Sequence, residues 1–437
     1  MNHTAALSVA VALSALLFSP VALAQNDAVD EAARPVPEPD YVLPGQADDD
    51  DPEVITRDEV TQLDQRTVDG LLPLLDREPF QTGKQTLDNI DKNLINNYAI
   101  YFTPSFTQFY QTGTNGGSDN SSVLSNLDIP ALWTPFDSDE WYGRGTLGTL
   151  YRFRDEWHGT TPRELSDNIG INAQINDSGV APDVALNTLL QLWWEQAMFD
   201  NQLVVRLGRV DQGSYLDTSL YAGSDKLLFM AQPIADGSPN RRFPQEGFGY
   251  NVIYRPKQAP VQFGFGMHDA NANNRTTGFN TVFDGDFFFG GMAAFTPDVD
   301  GVGKGFYRFT GTFTQDNPTN GEQWSWMLSF DQEIAPLGIG AFLRYGMSDG
   351  QRRRLGQQGG TGVVFLSPFG FADDKAGVGL AWQSEDSGGE NDFAIETFYR
   401  FALSKRVQLT PDIQVWFPHE EDKDVAAIFT LRLRTFF

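Results

Sequence analysis

The sequence contains no cysteine, only four histidines, and no apolar run of the about 20 residues that a membrane-spanning helix requires. Disulfides are permitted but not required outside the cytoplasm, so the absence of cysteine does not decide the compartment. His158, His268 and His419 have neither a nucleophilic serine nor a metal-ligand spacing beside them. His268 is followed by Asp269, but adjacent side chains of an extended strand point apart. We therefore expect no enzyme, no cofactor and no metal.

Positive charge is also scarce. The 31 Lys and Arg stand against 58 Asp and Glu, which gives a net charge of −27. A nucleic-acid partner would need clustered Lys and Arg to neutralise its phosphates, so this balance argues against nucleic acid. The charge selects no other class of partner by itself.

The N-terminal region predicts export and a segmented beginning. Residues 7–17 form a short apolar run, and Ala22-Leu23-Ala24 is a small-residue cleavage pattern, so we expect a signal peptide over 1–24 that is cut before Gln25. Residues 25–55 are rich in Ala, Pro and acids and predict a disordered acidic periplasmic tail. Residues 56–97 have the spacing of short amphipathic helices, which we interpret as a periplasmic or plug segment.

The last eleven residues, 427–437, place Ala427, Phe429, Leu431, Leu433 and Phe437 on every second position. A period of two places one face against hydrocarbon and puts Thr430, Arg432 and Arg434 on the other face. The segment predicts the closing strand of an outer-membrane β-barrel. A terminal aromatic with this spacing also suggests Phe437 as a signal for the barrel-insertion machinery.

Composition and repetition extend this prediction to residues 98–437. The chain has 42 Gly and 34 Phe with only 41% hydrophobic residues, which suits a barrel with a polar lumen and aromatic girdles, although an acidic β-sandwich would also fit. The fold class we predict is all-β, a transmembrane antiparallel up-and-down barrel of about sixteen strands. The strand-like runs are 98–110, 143–154, 168–176, 185–198, 201–210, 247–255, 260–268, 285–296, 305–315, 322–333, 336–347, 361–367, 376–384, 391–403, 406–417 and 425–437.

The lengths of the connections between these runs alternate, as a barrel with short periplasmic turns and long outer loops requires. We expect tight turns at 200–201, 255–260, 334–336 and 404–406, and long outer loops at 111–142, 211–246, 269–284 and 348–360. The connection 154–167 is an exception, because it is long on the side that should be short. The loop 211–246 is the third on the outer side, and by analogy with general porins it is our candidate for a constriction.

Two groups of residues form distinctive motifs. The first is residues 394–411 (AIETFYRFALSKRVQLTP), continued by Asp412-Ile413-Gln414, and the second is residues 203–209 (LVVRLGR), Phe243-Pro244, Gly247 and Tyr254-Arg255-Pro256. The first group resembles the penultimate hairpin of the carbohydrate-selective porins of the OprB type, and the second resembles the central strands of that family around a long loop. The resemblance implies passive diffusion of small sugars, both mono- and oligosaccharides, across the outer membrane of a Gram-negative bacterium.

Strand alternation predicts which side chains line the lumen. Guanidinium and carboxylate groups suit the vicinal hydroxyls of sugars, and an inward aromatic ring can stack on a pyranose. Each arginine could instead brace the wall, and a tryptophan could instead belong to an interfacial girdle. The predicted pore-lining or sugar-binding residues are Arg152, Arg154, Arg206, Arg308, Arg344, Arg400, Arg432, Arg434, Glu396, Asp412, Gln414, Trp193 and Trp416.

Two alternatives to a sugar porin stay open. A general or anion-leaning porin is favoured if lumen arginines outnumber carboxylates at the constriction. A plugged barrel that anchors the envelope or acts as an adhesin would conduct negligibly. The remaining expected partners are outer-membrane lipid and lipopolysaccharide. The triplet 352–354 could meet lipopolysaccharide phosphates, although we favour pairing with the acidic loops around it.

Overall fold

The computed structural model describes residues 93–437 with the exception of 96, 115–119, 172, 177–185, 224, 237–244, 273–278, 280, 317–320, 351–352, 372, 386–390, 405 and 420–422. The expected signal peptide (1–24), the acidic tail (25–55) and residues 56–92 of the helical segment lie outside the described residues. Residues 93–95 and 97 of that segment are helical, and so is residue 98, the first residue of the predicted strand 98–110.

Eighteen strands are present among the described residues. They are β1 (Ile100–Phe102), β2 (Ser105–Gly113), β3 (Ser121–Phe136), β4 (Arg144–Gly159), β5 (Leu186–Met198), β6 (Leu203–Val210), β7 (Gly247–Tyr254), β8 (Val261–Asp269), β9 (Phe287–Phe295), β10 (Asp298–Val299), β11 (Gly303–Thr314), β12 (Gln323–Ile334), β13 (Ile339–Gly350), β14 (Arg353–Phe365), β15 (Lys375–Glu385), β16 (Asn391–Ser404), β17 (Val407–Phe417) and β18 (Ala426–Phe436).

Sixteen of these strands close into one antiparallel ring. Neighbours in sequence pair from β2 to β9 and from β11 to β18, β9 pairs with β11, and β18 pairs with β2. The strands β1 and β10 are short additions that pair with β3 and β11. A closed ring leaves no unpaired sheet edge, which is the condition for strands to cross a bilayer. The predicted sixteen-stranded barrel is confirmed.

The two rims of the barrel differ in their connections. Ser105 begins the ring, Phe436 ends it, and the two residues are paired, so both ends of the ring lie at one rim. We call this the short-turn rim, because the predicted turns at 200–201, 255–260, 334–336 and 404–406 all lie between strands there. The opposite rim, the long-loop rim, carries the predicted long loops 211–246 and 269–284.

The strand count is right because two errors in the predicted strands cancel. The expected outer loop 111–142 contains β3, whose alternation is broken by Ser125 and Pro130. The expected strand 168–176 is wrong: Ile169, Ile171 and Ile175 do alternate with polar residues, but all three are buried in an apolar cluster inside the barrel. The alternating apolar residues therefore belong to a buried loop and not to a membrane-spanning strand.

The omission of β3 also explains the exceptional connection. β3 reverses the direction of β4, so the segment after Gly159 belongs to the long-loop rim and 154–167 is not a long turn on the short side. The expected long loop 348–360 is wrong as well. β13 extends to Gly350 and β14 begins at Arg353, with Gly350 paired to Arg353, so glycine and arginine residues of that region belong to a long hairpin.

The two faces of the strands differ as the sequence predicts. On β18, Phe429 and Leu431 are each 46% exposed on the outside, whereas Arg432 and Arg434 are almost fully buried inside. Outward aromatic and aliphatic side chains such as Phe309 and Leu343 continue this surface around the ring. The barrel therefore has an apolar outer surface and a polar interior.

Three helices lie in the described parts of the long loops. These are α1 (Pro162–Asn168) in the second loop (160–185) and α2 (Gly213–Leu216) and α3 (Gln232–Ala235) in the third loop (211–246). Thr161 caps α1: its hydroxyl accepts the Glu164 N–H at 3.0 Å, and the Glu164 carboxylate accepts the Thr161 N–H at 2.9 Å. No helix among the described residues is long and apolar enough to cross a membrane.

Candidate functional site

The third loop folds into the barrel and contacts the inner wall along most of its described length. Residues 212–235 are almost entirely buried, apart from the partly exposed Gly213 and Leu220 and residue 224, which is not described. Buried polar groups need hydrogen-bond partners, so the position of this loop depends on the donors and acceptors that the wall presents to the backbone and side chains of the loop. The wall offers arginines and carboxylates on alternate positions of its strands.

The first half of the third loop is held by β11, β12 and β13. The Asp217 carboxylate pairs with the guanidinium groups of Arg308, at 3.4 Å, and Arg344. Arg308 also donates to the Thr218 hydroxyl at 2.6 Å. On β12 the Asp331 carboxylate accepts a hydrogen bond from the Ser219 hydroxyl at 2.6 Å. This half of the loop is therefore fixed by buried, charge-assisted contacts.

The second half of the loop is held by its backbone. The Glu396 carboxylate on β16 accepts the N–H groups of Met230 at 2.5 Å and Ala231 at 3.0 Å. Arg432 on β18 donates to the carbonyls of Asp225 and Leu228. These side chains act on main-chain groups, so their contacts do not depend on which side chains the loop carries at those positions.

Arg344 joins the two halves of the loop. Besides its pairing with Asp217, it donates to the carbonyls of Ile234 and Ala235, both at 2.9 Å. One wall arginine therefore fixes two points of the loop that are far apart in sequence.

The second loop enters the barrel beside the third. Gln414 on β17 donates to the Ile175 carbonyl at 2.8 Å, and Asn176 donates to the Gln111 side chain at 3.2 Å. The two loops are joined by Gln232, whose N–H donates to the Gln174 carbonyl at 2.9 Å and whose side-chain oxygen accepts the Gln174 N–H at 3.2 Å. Movement of the third loop is therefore coupled to the second.

An apolar cluster fills the space between both loops and the wall from β13 to β18. It includes Leu165 and Ile171 from the second loop, Phe229 and Ile234 from the third, and Phe398 from the wall. Glycines on the wall make room for it, because a Cβ atom on Gly379 would lie 2.9 Å from both Ile234 Cδ1 and Phe229 Cε1. The loops are packed against this side of the barrel at core density.

Eleven of the thirteen predicted lumen residues are buried in the interior, and most of those touch the inserted loops or one another. Trp416 donates its indole N–H to Gln414 at 2.8 Å, and Asp412 lies next to Glu396 in the adjacent strand. Arg434 donates weakly to Ser105 at 3.5 Å, and Arg400 is buried on β16. That these thirteen residues line the pore and bind sugar stays a prediction.

A mixed-charge group on β3, β4 and the third loop keeps partial solvent exposure. Asp128 on β3 pairs with Arg152 on β4 at 2.5 Å and with Lys226 of the third loop. Two residues further along β4, Arg154 donates to Asn126 at 2.9 Å. Arg152 and Arg154 are the two predicted lumen residues that are not buried. We call Asp128, Arg152, Arg154 and Lys226 the charged cluster.

Glu246 and Asp211, at the two ends of the third loop, lie near the charged cluster. Burial, and then the carboxylate of Asp211, raise the pKa of Glu246 to about 7, while Arg152 and Arg209 oppose the rise. The Asp211 carboxylate accepts the Gly213 N–H at 2.8 Å and the Ser214 hydroxyl at 2.6 Å, so it caps the start of α2. Glu246 thus changes charge close to neutral pH.

A second arginine group lies on β5 and β6. The guanidinium carbon of Arg206 is 3.5 Å from the centroid of the Trp193 ring and 4.5 Å from that of Tyr215. Arg206 pairs with Glu195 at 2.8 Å, and the Tyr215 hydroxyl donates to the same carboxylate at 3.0 Å. Arg206 therefore covers one face of Trp193, a residue that the sequence predicts to stack on sugar.

The sequence did not identify the acidic partners of the wall arginines. Asp128 lies on β3, whose sequence resembles a loop, and Asp217 lies in a loop without periodicity. The only available signal was the excess of inward arginines, which require counter-charges when buried.

The histidines form no catalytic group among the described side chains. His268 is buried against the Phe288 ring, and the His419 ring nitrogen Nδ1 lies 2.8 Å from Asp392 near the long-loop rim. In the described part of the chain no three His, Cys, Asp or Glu side chains are grouped so that they could hold a metal ion. The side chain of His158 lies outside the described residues.

A closed sixteen-stranded barrel with an apolar outside, a charged interior and a loop folded against its inner wall is the architecture of an outer-membrane porin. The model of the family "Carbohydrate-selective porin, OprB family" matches residues 157–296 and 283–437. The matched regions cover more than half of the chain, and the chain belongs to this family. Its barrel therefore lies in the outer membrane, with the short-turn rim towards the periplasm.

Individual relatives agree with this assignment. The high-pH structure of Pseudomonas putida OprB superposes with a TM-score of 0.65 at 17% identity, covering 80% of this chain and 97% of that one. The low-pH structure of the same porin gives a TM-score of 0.51 at 14% identity, covering 80% and 96%. At these identities the likeness shows the fold.

Porin AaxA of Chlamydia abortus is 22% identical over 302 residues. The match covers 66% of this chain, and the chain spans 65% of the length of that relative.

Proposed function

We propose that the protein lets small hydrophilic solutes, with mono- and oligosaccharides foremost, diffuse passively across the outer membrane. The observation that carries the proposal is the charged cluster, in which the partly exposed guanidinium groups of Arg152 and Arg154 lie beside the buried charges of Asp128 and Lys226. Membership of the OprB family supports the sugar preference. Solutes enter between the long loops and pass the third loop without an energy input or a conformational cycle.

The chemistry of the charged cluster suits a neutral polyol. Arg152 and Arg154 present planar N–H donors, and Asp128 presents acceptor oxygens next to them. A vicinal diol can accept from a guanidinium and donate to a carboxylate at the same time. Because Asp128 lies between Arg152 and Lys226, the opposite charges limit the net field that a neutral solute must cross.

An anion-leaning porin is the second candidate. Arg400, Arg432 and Arg434 lie behind the charged cluster on β16 and β18, so arginine exceeds carboxylate along this part of the wall. A surplus of fixed positive charge raises the local concentration of anions. The plugged-barrel alternative rests on the depth to which the two loops fill the interior.

Planar-bilayer conductance of the refolded protein distinguishes these functions. For a sugar porin we expect open channels that glucose and short malto-oligosaccharides block in a saturable manner. Open channels indifferent to sugar but with an anion-selective reversal potential would establish the second candidate, and the absence of conductance would establish the plugged barrel. Arg152→Gln should weaken the sugar block, whereas the matched control Lys257→Gln, an exposed residue of a short turn, should not.

Delivery to the membrane belongs to the same proposal. The segment 1–24 is removed before Gln25, and Phe437 contacts the barrel-insertion machinery, with lipid and lipopolysaccharide as later neighbours. Phe437 is 44% exposed at the short-turn rim, and its N–H donates to the Pro104 carbonyl at 2.9 Å. The N-terminal sequence of the mature protein tests the cleavage site, and Phe437→Ala should reduce the yield of inserted barrel in cells.

A further inference from the structure

Asp217 is the point at which the third loop meets two cations of the wall. Its side chain is 3% exposed, and those of Arg308 and Arg344 are fully buried. The two arginines lie on β11 and β13, on either side of Ser329 in β12, so they belong to one row across three strands. Two buried cations at this spacing repel each other unless an anion lies between them. Asp217 supplies that anion from the loop.

The other charged group near this row is Asp331, which has a different partner set. Its two carboxylate oxygens accept from the Ser219 hydroxyl at 2.6 Å and, more weakly, from the Leu220 N–H at 3.3 Å. Asp331 belongs to β12, so its charge stays with the wall wherever the loop is. Asp217 belongs to the loop, so it separates from Arg308 and Arg344 when the loop moves off the wall. The ion pairs of Asp217 therefore link the position of the loop to the charge balance of the wall.

We propose that Asp217 is a positioning residue that holds the third loop against β11–β13 and thereby sets the width of the solute pathway. The proposal rests on the function proposed above. Loss of the Asp217 charge leaves Arg308 and Arg344 with Asp331 as their nearby carboxylate, so one negative charge faces two cations and hydration of that wall is favoured. The loop is then released from this wall, and the pathway loses the fixed narrow section at which a sugar is held.

The first test compares Asp217→Asn with Asp300→Asn in planar bilayers. Both variants lose one negative charge, but Asp300 is exposed in a turn at the short-turn rim. We expect Asp217→Asn to raise single-channel conductance and to lose the saturable block by malto-oligosaccharides, and Asp300→Asn to match the unmodified protein. Equal conductance and equal block in all three proteins would overturn the proposal.

A second variant, Arg344→Met, keeps the proposal testable if Asp217→Asn does not fold. Arg344→Met keeps a similar volume, removes the contacts to Ile234 and Ala235, and leaves Asp217 paired with Arg308, so no buried charge is left alone. It should change conductance in the same direction as Asp217→Asn. A folded Arg344→Met barrel with unchanged conductance and unchanged sugar block would also overturn the proposal.

These results separate the two proposals. If the unmodified protein does not conduct, or conducts without any response to sugar, the proposed function fails before Asp217 is considered. If the unmodified protein conducts and is blocked by sugar, the variants test Asp217 alone.

Discussion

Lys226 of the third loop forms an ion pair with Asp128 of β3, across the interior of the barrel. Asp128 is shared, because its other oxygen accepts from Arg152 of the neighbouring strand at 2.5 Å. One carboxylate thus balances one cation that is fixed in the wall and one that belongs to the loop. The charge that a permeating ion meets here depends on all three groups.

The first prediction concerns ion selectivity at this triplet. Asp128→Asn leaves Arg152 and Lys226 without their shared anion, so the channel should shift towards anions. Lys226→Gln leaves Asp128 paired with Arg152 and should shift the channel towards cations. Reversal potentials in a salt gradient measure both shifts.

Lys257→Gln is the matched control, since it removes the same charge from an exposed turn. Shifts of the same sign in Asp128→Asn and Lys226→Gln would show that the triplet does not set the field in the pathway.

The second prediction concerns Trp193, whose ring is covered on one face by Arg206 at 3.5 Å. A cation over an aromatic face gains about 0.5–2 kcal/mol, so Trp193→Ala should free Arg206 and weaken sugar block, while Trp193→Phe should keep most of it. Sugar titrations of channel conductance give the apparent affinity. Trp194→Ala is the control, because Trp194 is the next residue of β5 and packs outside against Phe136. Equal block in the two alanine variants would remove Trp193 from the pathway.

The sequence predicts the barrel because alternation is repeated in many strands, so an error in one segment does not change the class. The prediction of individual strands is wrong at two places, where a loop has the alternating pattern of a strand and where a strand lacks that pattern. Ile169, Ile171 and Ile175 alternate with other residues in the sequence, but they belong to a loop and are buried in the apolar cluster. β3 lacks clean alternation because Ser125 and Pro130 fall within it. Local periodicity in the sequence predicts that apolar side chains are buried, but it does not predict which element of the fold buries them.

The candidate site divides in the same way. Period-two alternation places Arg152, Arg308 and Arg344 inside from the sequence alone. Their partners Asp128 and Asp217 come from segments without a readable period, and the pairing depends on the path of the third loop through the barrel. The arginine that the wall contributes to each ion pair is therefore predictable from the sequence. The acidic partner can be identified only from the tertiary structure.

The third prediction concerns the glycines beneath the third loop. A Cβ atom on Gly379 would lie 2.9 Å from Ile234 Cδ1 and Phe229 Cε1, so Gly379→Leu must displace the loop. Inserting methylenes into a packed core costs typically about 1–3 kcal/mol. We expect limited proteolysis of the intact barrel to cleave the third loop faster, with higher channel conductance. Gly291→Leu, where a Cβ atom meets nothing within 4 Å, is the control. Resistance equal to that of the control would mean that the loop is not seated on these glycines.

The fourth prediction concerns the dependence of ion selectivity on pH. Burial and the neighbouring Asp211 carboxylate raise the pKa of Glu246 to about 7, against the opposing effect of Arg152 and Arg209. Glu246 is therefore mostly neutral at pH 6 and mostly charged at pH 8. Because the added charge is negative, selectivity for anions should fall as the pH rises through 7.

Reversal potentials of the unmodified channel and of Glu246→Gln, recorded between pH 6 and pH 8, test this directly. Glu246→Gln should keep the low-pH selectivity over the whole range, because its side chain has no proton to lose. Asp211→Asn removes the carboxylate that raises the pKa of Glu246, so its transition should move to lower pH. Because the pKa of Glu246 in the folded protein is raised from 4.5 to about 7, the carboxyl ionises first in the unfolded chain, and the stability of the fold falls as the pH rises from about 4.5 to about 7. Glu246→Gln should therefore be the more stable barrel at pH 8 and gain little at pH 4. A pH dependence that persists unchanged in Glu246→Gln would assign the titration to another group and refute the prediction.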